Sequence, residues 1–181
     1  MKILIAYGST EGQTRKVARF AADRLVEAGH VVELMRAGDG EELDLDRFDA
    51  AILAGSVHVG RYQADLVDFA KGAAKALERM PTLFLSVSGA AAGSDPDDWK
   101  GLDDCVARFT AAIGWTPRRI EHVAGAFRFT EYDFFKSWAM RLIAAQHGQK
   151  VDPDKDTEFT DWKALGKVLD DWAGQAVSPE G

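Results

Sequence analysis

This sequence lacks a surplus of basic residues, long hydrophobic runs and cysteine pairs. Each of these absences excludes a class of protein. The 181 residues include one cysteine, Cys105, so no internal disulfide can form and nothing argues for an oxidising compartment. The 22 Lys and Arg residues stand against 29 Asp and Glu, and the resulting net charge of -7 argues against nucleic-acid binding. No apolar run approaches the roughly 20 residues of a membrane span. No signal peptide precedes the first apolar run, so we expect a cytoplasmic protein.

The first loop of the chain lacks the residues that two common nucleotide sites need. An apolar run from Lys2 to Tyr7 is followed by the sequence GSTEGQT, from Gly8 to Thr14. No Lys stands where a Walker-type loop requires one, which argues against ATP hydrolysis. The Gly-x-Gly-x-x-Gly signature of dinucleotide sites is absent too. Hydroxyls and backbone N–H groups before a helix then fit a single terminal phosphate best.

Strands alternate with helices along most of the chain. Short apolar runs predict the strands Lys2–Tyr7, His30–Met35, Asp49–Ala54, Thr82–Val87 and Ile120–Phe129. Helical periodicity predicts the helices Gln13–Ala28, Ala64–Leu77, Leu102–Ile113 and Asp161–Ala173. Because strands joined through crossover helices run parallel, we predict an α/β fold with a doubly wound five-stranded parallel sheet and helices on both faces.

The chain departs from this alternation between the fifth strand and the last helix. Glu131 to His147 has an apolar face rich in aromatic residues and a polar face opposite, which predicts an amphipathic helix within an insert at about residues 129–160. Such a face usually packs on the protein body, and its aromatic content leaves a ligand or membrane surface open. We predict one domain over residues 1–176, with a C-terminal tail at 177–181.

Small residues also follow the third and fourth strands, in the loops Ser56–Gln63 (SVHVGRYQ) and Ser88–Asp95 (SGAAAGSD). In an open parallel sheet the ligand crevice lies outside the carboxyl ends of the strands, so we expect these loops to meet the first loop there. An alternative stays open for the first loop. Thr10 and Gln13 have the spacing of a capping box, which would serve only the start of the helix.

The first loop resembles that of the flavodoxin-like FMN proteins, whose phosphate loop has the form Thr/Ser-x-Thr-Gly-x-Thr. The matching positions here are Ser9, Thr10, Gly12 and Thr14. Within that superfamily, the segments SVHVGRYQ, GAFRFTEYDFFKSW and FTDW resemble the menaquinone-dependent protoporphyrinogen IX dehydrogenases of bacterial haem synthesis. The resemblance runs from Lys2 to about Trp172, and its most specific part is the stretch from Gly125 to Trp162.

The resemblance implies that three loops bind FMN. The residues implied at its phosphate are Ser9, Thr10, Glu11, Gly12, Gln13 and Thr14. The residues implied around its ring are Ser56, Val57, His58, Gly60, Tyr62, Ser88, Gly89, Ala90 and Ala91. Tyr62 or His58 could stack on the ring, while a solvated loop histidine is the alternative for His58.

The resemblance also implies an activity, the oxidation of protoporphyrinogen IX to protoporphyrin IX with electrons passed to a quinone. The predicted contacts to the propionates of the substrate are Arg128, Lys136 and Arg141. Because a flavin carries the electrons itself, we name no catalytic side chain and no metal ligand. We expect no nucleic-acid partner, and the aromatic insert leaves open a peripheral contact with the inner face of the cell membrane.

Two other functions fit the same residues. The acidic balance suits a flavodoxin-like electron carrier, or an NAD(P)H:quinone reductase without porphyrin activity, because acidic carriers dock on basic redox partners. A scaffold that binds no flavin and uses the aromatic insert to bind a partner is the third possibility.

Overall fold

A parallel five-stranded sheet forms the centre of the molecule, with strand order β2-β1-β3-β4-β5. The computed structural model describes residues 1–40, 43–127 and 157–177. The strands are β1 (Lys2–Gly8), β2 (Val31–Arg36), β3 (Ala50–Ser56), β4 (Thr82–Ser88), β5 (Arg119–Ala124), β6 (Ala126–Phe127) and β7 (Thr157–Glu158). The helices are α1 (Gln13–Glu27), α2 (Ala64–Leu77), α3 (Pro96–Ile113) and α4 (Trp162–Val177).

Burial on both faces explains why these strands are short apolar runs. In β1, β3 and β4 nearly every residue is buried, as expected when helices cover a parallel sheet on both sides. One face packs on α1 and α4, through residues such as Val17, Leu25 and Leu169. The other face packs on α2 and α3, through residues such as Leu66 and Phe109. The predicted doubly wound α/β fold is therefore confirmed.

The strand order reverses at β1, and this reversal positions a crevice. The chain moves outwards from β1 to β2 in one direction and through β3, β4 and β5 in the other. The loops after β1 and β3 therefore diverge to opposite faces of the sheet and leave a gap between them. Ligands of doubly wound sheets bind in such a gap, at the carboxyl ends of the strands.

Helix α3 begins six residues earlier than its predicted start at Leu102. The side chain of Asp95 accepts a hydrogen bond from the backbone N–H of Asp97 at 2.9 Å, and Pro96 occupies the first turn. Both features favour a helix start. The first turns are polar and mostly exposed, so they lack the apolar periodicity that marked the rest of the helix. The helix therefore includes residues 96–101, which precede its predicted start.

The fifth predicted strand is interrupted at Gly125. β5 ends at Ala124, and β6 continues for two residues in an antiparallel pair with β7. Phe159 N–H donates to the Gly125 carbonyl at 3.0 Å, so the chain that returns after residue 156 packs against this break. The predicted helix Glu131–His147 lies outside the described residues, and the domain boundary at 176 stays a prediction. Among the described helices, none is both long and apolar enough to cross a membrane.

Candidate cofactor-binding site

A cleft lies at the carboxyl ends of β1, β3 and β4, where the strand order reverses. Its cavity volume is about 90 Å³, and its mouth opens to solvent. Its lining residues are Ser9, Thr10, Glu11, Gln13, Thr14, Ser56, Val57, His58, Val87, Ser88, Gly89, Gly125 and Ala126. The three loops expected to converge therefore do so.

The start of α1 faces this cleft without a side-chain cap. The N-cap residue is Gly12, with φ of 93°, a left-handed conformation that favours glycine. Thr10 Oγ1 instead accepts from Gln63 Nε2 at 3.1 Å, and Gln13 Nε2 donates to Thr160 Oγ1 at 3.0 Å. The capping-box alternative for Thr10 and Gln13 is therefore wrong. The first N–H groups of a helix have no acceptor within it, so this helix start favours an anion.

Hydroxyl groups around the cleft are oriented to donate hydrogen bonds. Ser9 Oγ accepts from the Gly12 N–H at 3.0 Å, and Ser88 Oγ accepts from the Ala91 N–H at 3.1 Å. The oxygens of Thr10 and Ser56 both accept from the Gln63 side chain. A hydroxyl that accepts from the protein keeps its own proton for another partner. The cleft therefore offers several O–H donors to a phosphate or a carbonyl oxygen.

Thr14 gives the strongest sign that a polar ligand belongs in the cleft. Its side chain is fully buried, and its Oγ1 has no hydrogen-bond partner among the described residues. Leaving a buried hydroxyl unpaired costs about 1 to 3 kcal/mol. Because Thr14 also lines the cleft, a bound phosphate oxygen would satisfy it.

Gln63 holds the loop after β3 against the loop after β1. Its Nε2 donates to Ser56 Oγ at 2.6 Å and to Thr10 Oγ1 at 3.1 Å, and its Oε1 accepts from the Ser56 N–H at 3.2 Å. One amide side chain thus joins both sides of the cleft. Gln63 ends the segment SVHVGRYQ, but sequence reasoning did not assign it a role.

The end of β3 packs closely against the start of α2, next to Gln63. A Cβ atom on Gly55, the second-to-last residue of strand β3, would lie 2.5 Å from Leu66 Cδ2 and 2.9 Å from Tyr62 Cδ1. Only glycine therefore lets the start of α2 approach the end of this strand. This close approach keeps the β3 loop next to the cleft.

Two residues expected at the flavin ring, Gly60 and Tyr62, face away from the cleft. Tyr62 packs edge-on against Phe84 and Phe109, and its hydroxyl lies 2.7 Å from Ser86 Oγ. Burial raises the pKa of the Tyr62 phenol well above its usual value. His58, in contrast, lines the cleft and is exposed. Of the two predicted stacking residues, His58 is the one that the structure places at the cleft.

Gly60 and Tyr62 instead line a second cavity of about 210 Å³ between the β3 loop and α3. The Gly60 carbonyl accepts from Cys105 Sγ at 3.3 Å and from an Arg108 guanidinium nitrogen at 3.1 Å. Burial raises the pKa of the Cys105 thiol, as expected for an inert buried cysteine. The two hydrogen bonds to the Gly60 carbonyl hold the β3 loop against α3.

The remaining predicted residues fall at the edge of the cleft or beyond the described chain. Gly12 shapes the helix start, and Ala90 and Ala91 form a 3-10 turn beside Gly89 without lining the cleft. Val87, Gly125 and Ala126 line the cleft but were missed, and their place at strand ends was the signal that could have found them. The predicted propionate contacts Arg128, Lys136 and Arg141 lie outside the described residues.

The sequence matches the model of the flavodoxin domain over residues 4–154. The chain belongs to the flavodoxin-domain family. It is 30% identical to "Protoporphyrinogen IX dehydrogenase [quinone]" of Escherichia coli (strain K12), over 91% of both chains. It is 25% identical to the protein of the same name from Leishmania major, over 95% of this chain and 74% of that one.

Solved structures of flavodoxins share the fold. A flavodoxin from Streptococcus pneumoniae TIGR4 superimposes with a TM-score of 0.56 at 16% identity, covering 97% of this chain and 99% of that one. A flavodoxin from the domain Archaea gives a TM-score of 0.51 at 14% identity, covering 98% and 100%. At such low identities the likeness bears on the fold alone.

Family membership confirms the prediction that FMN is the cofactor, and that the chain is a flavoprotein of the oxidoreductase class. The residues present fit this cofactor. The uncapped start of α1, the donor hydroxyls and the unpaired Thr14 oxygen suit its phosphate. Which side chains contact which part of FMN stays a prediction.

Proposed function

We propose that this flavoprotein oxidises protoporphyrinogen IX to protoporphyrin IX and passes the electrons to a quinone. The observation that supports this most is the 30% identity to a protein named for that reaction, which extends over 91% of both chains. The described cleft agrees with it, because it is open at one side and would leave a flavin edge accessible to a second molecule.

In this proposal, the side chains of the chain bind and orient the cofactor. Ser9, Thr10 and Thr14 hold its phosphate together with the start of α1, as the donor hydroxyls and the open helix start favour. His58, Val57 and Gly89 border its ring. FMN itself supplies the group that accepts electrons from one partner and returns them to the other. The porphyrinogen loses six electrons and six protons in all, and each quinone that becomes a quinol takes up two of each, so three quinones are reduced for each porphyrin formed.

The substrate contacts remain on the insert in this proposal. Arg128, Lys136 and Arg141 are proposed to pair with the propionates of the porphyrinogen, because guanidinium and ammonium groups bind carboxylates well. The insert is also where we propose a peripheral contact with the membrane that holds the quinone.

Porphyrin formation tests the proposed function directly. Purified FMN-loaded protein, kept anaerobic with protoporphyrinogen IX and a soluble quinone, should form fluorescent porphyrin much faster than the same mixture without protein. Omission of the quinone should stop the reaction after the flavin is reduced. A rate equal to that of the protein-free mixture would contradict the proposal.

A second function is favoured by the acidic first part of α3. The start of α3 and its N-cap carry Asp95, Asp97, Asp98, Asp103 and Asp104. Such a surface would dock on a basic redox partner, as expected of an electron carrier or an NAD(P)H:quinone reductase. Rapid flavin reduction by NAD(P)H or a reductase, without porphyrin formation, would favour this second function.

A further inference from the structure

Thr160 lies just outside the cleft and connects two of its walls. Its hydroxyl donates to the Ala124 carbonyl at 2.7 Å, and its Oγ1 lies 3.0 Å from Gln13 Nε2. A hydroxyl has one proton, and the Ala124 carbonyl can only accept. The Gln13 amide must therefore present its NH2 group to Thr160. Two hydrogen bonds, which we call the relay, therefore connect the Ala124 carbonyl at the end of β5 through Thr160 to Gln13, the first residue of α1.

The contacts around Thr160 hold the returning chain against α1. Lys16 Nζ, in the second turn of α1, lies 3.1 Å from Glu158 Oε2, and Trp162 Nε1 donates to Glu158 Oε1 at 2.8 Å. Phe159 N–H donates to the Gly125 carbonyl at 3.0 Å. The segment Glu158–Thr160 thus contacts both the start of α1 and the Gly125 wall of the cleft.

Gln13 is the residue that connects this segment to the cleft. It is the first residue of α1, and it lines the cleft, whereas Thr160 does not. The favourable field of a helix start acts over about its first turn, so the placement of this turn decides how well it meets an anion. Gly12 supplies no side chain that could fix that turn locally.

We propose that Thr160 is a positioning residue that acts through Gln13 on the phosphate end of the cleft, and so favours FMN over riboflavin. Riboflavin has the same ring system and lacks the phosphate. A contact that places the phosphate loop therefore affects the affinity for FMN and leaves the affinity for riboflavin nearly unchanged. The inference rests on the FMN site and does not require porphyrinogen oxidation.

Flavin titrations of the full-length apoprotein test this inference. The affinities for FMN and for riboflavin are measured separately by quenching of flavin fluorescence. Thr160→Val removes both hydrogen bonds and keeps the side-chain shape. Loss of one neutral hydrogen bond in the relay is expected to weaken FMN binding about fivefold, with a change below about twofold for riboflavin. Thr160→Ser restores the hydroxyl and should recover most of the affinity for FMN.

Thr110→Val is the matched control. Thr110 lies on α3, where its hydroxyl donates to the Ala107 carbonyl at 3.1 Å. It is not one of the residues that line the cleft. The same substitution there should leave both flavin affinities unchanged.

Gln13→Leu tests the relay from its other end, and it decides the question if Thr160→Val does not fold. It should lower the FMN affinity selectively. Adding Thr160→Val should cause little further loss of FMN affinity, because the Gln13–Thr160 hydrogen bond is common to both changes, although Gln13→Leu also removes a bond to Glu158 and Thr160→Val one to Ala124. The inference is overturned if the two flavins lose affinity equally, if Thr160→Ser fails to recover FMN binding, or if Gln13→Leu leaves the ratio of affinities unchanged. A failure of porphyrin formation would bear on the proposed function alone.

Discussion

The loop after β1 and the loop after β3 lie on opposite sides of one cleft, and they differ in how their polar groups are satisfied. The β1 loop, Ser9–Thr14, ends at a helix start without a side-chain cap and contains the unpaired, buried Thr14 hydroxyl. The β3 loop, Ser56–Gln63, is bonded internally through Gln63 and anchored from behind at the Gly60 carbonyl. The first loop is built for a ligand, and the second is built to keep its own shape.

The two loops also differ in the residue that takes a left-handed backbone conformation. In the β1 loop the left-handed position is taken by Gly12, at little steric cost. In the β3 loop a left-handed position is taken by Val59, with φ of 48°, and its side chain is 87% exposed. A β-branched residue in this conformation is strained by roughly 1 to 3 kcal/mol. The anchoring of the β3 loop therefore overcomes a local strain, which the β1 loop does not have.

The largest effect is expected where the β1 loop meets the phosphate. Thr10→Val combined with Thr14→Val should weaken FMN binding by about 3 to 6 kcal/mol, because each hydrogen bond to a charged phosphate contributes about 1.5 to 3. The affinity is measured by fluorescence titration of the apoprotein.

The single change Thr14→Val sharpens the comparison, since it should also raise the melting temperature of the apoprotein. The substitution removes an unpaired buried hydroxyl at nearly constant shape. Unchanged FMN affinity in the double variant, or a less stable apoprotein with Thr14→Val, would contradict the assignment of the β1 loop as the phosphate-binding loop.

The next effect concerns the internal bonding of the β3 loop. Gln63→Leu removes its bonds to Ser56 and Thr10, and leaves the Ser56 N–H without its acceptor. We expect the apoprotein to lose about 1 to 3 kcal/mol of unfolding free energy, measured by urea denaturation.

Gln175→Leu, on the exposed side of α4, provides the control and should change stability by less than about 0.5 kcal/mol. If Gln63→Leu were equally mild, the β3 loop would not depend on Gln63 for its shape.

A smaller effect is expected from relief of strain in the β3 loop. Val59→Gly should stabilise the protein by about 0.5 to 1 kcal/mol, because the gain at positive φ exceeds the entropic cost of glycine. Thermal unfolding measures the change.

The same substitution at Val31, an exposed residue of strand β2, should instead be destabilising. A loss of stability at both positions would contradict the assignment of strain to Val59.

The smallest effect is expected at the ion pair of Lys16, in α1, with Glu158. Burial opposes ionisation of Glu158, but hydrogen bonds from Lys16, Trp162 and Gln13 outweigh it and lower its pKa. A lowered folded-state pKa gives stability that is present above the unfolded value of about 4.3 and is lost as the pH falls through the folded value. Because the pair is partly exposed, the contribution should be a few tenths of a kcal/mol.

Comparison of wild type with Glu158→Gln across pH tests this contribution. The wild type should be slightly more stable at neutral pH, and the difference should shrink as the pH falls below about 4. A difference that grows on acidification would have the wrong sign.

Sequence patterns were sufficient for the sheet and for the place of the cleft. The buried runs of β1, β3 and β4 have few alternatives, because strands covered on both faces must be apolar throughout. Helix α3 was predicted too short, since its first turns are defined by the Asp95 cap and have no apolar stripe. The Asp95–Pro96 cap is visible in the sequence, but the helix was predicted from apolar periodicity, which begins only at Leu102.

The partners of the cleft residues could not be predicted in the same way. Gln13 has the spacing of a capping residue, yet it bonds to Thr160, 147 positions away. Tyr62 belongs to a loop at the cleft, yet its ring turns into the core and packs edge-on against both Phe84 and Phe109. Both outcomes depend on tertiary neighbours, which the spacing of residues along the chain does not contain.

The most direct test of the site compares FMN with riboflavin on the wild-type apoprotein. If the β1 loop holds the phosphate, FMN should bind at least about a hundredfold more tightly than riboflavin, since two charged hydrogen bonds alone correspond to about 3 kcal/mol or more. Equal affinities for the two flavins would contradict the assignment of the phosphate to Ser9–Thr14.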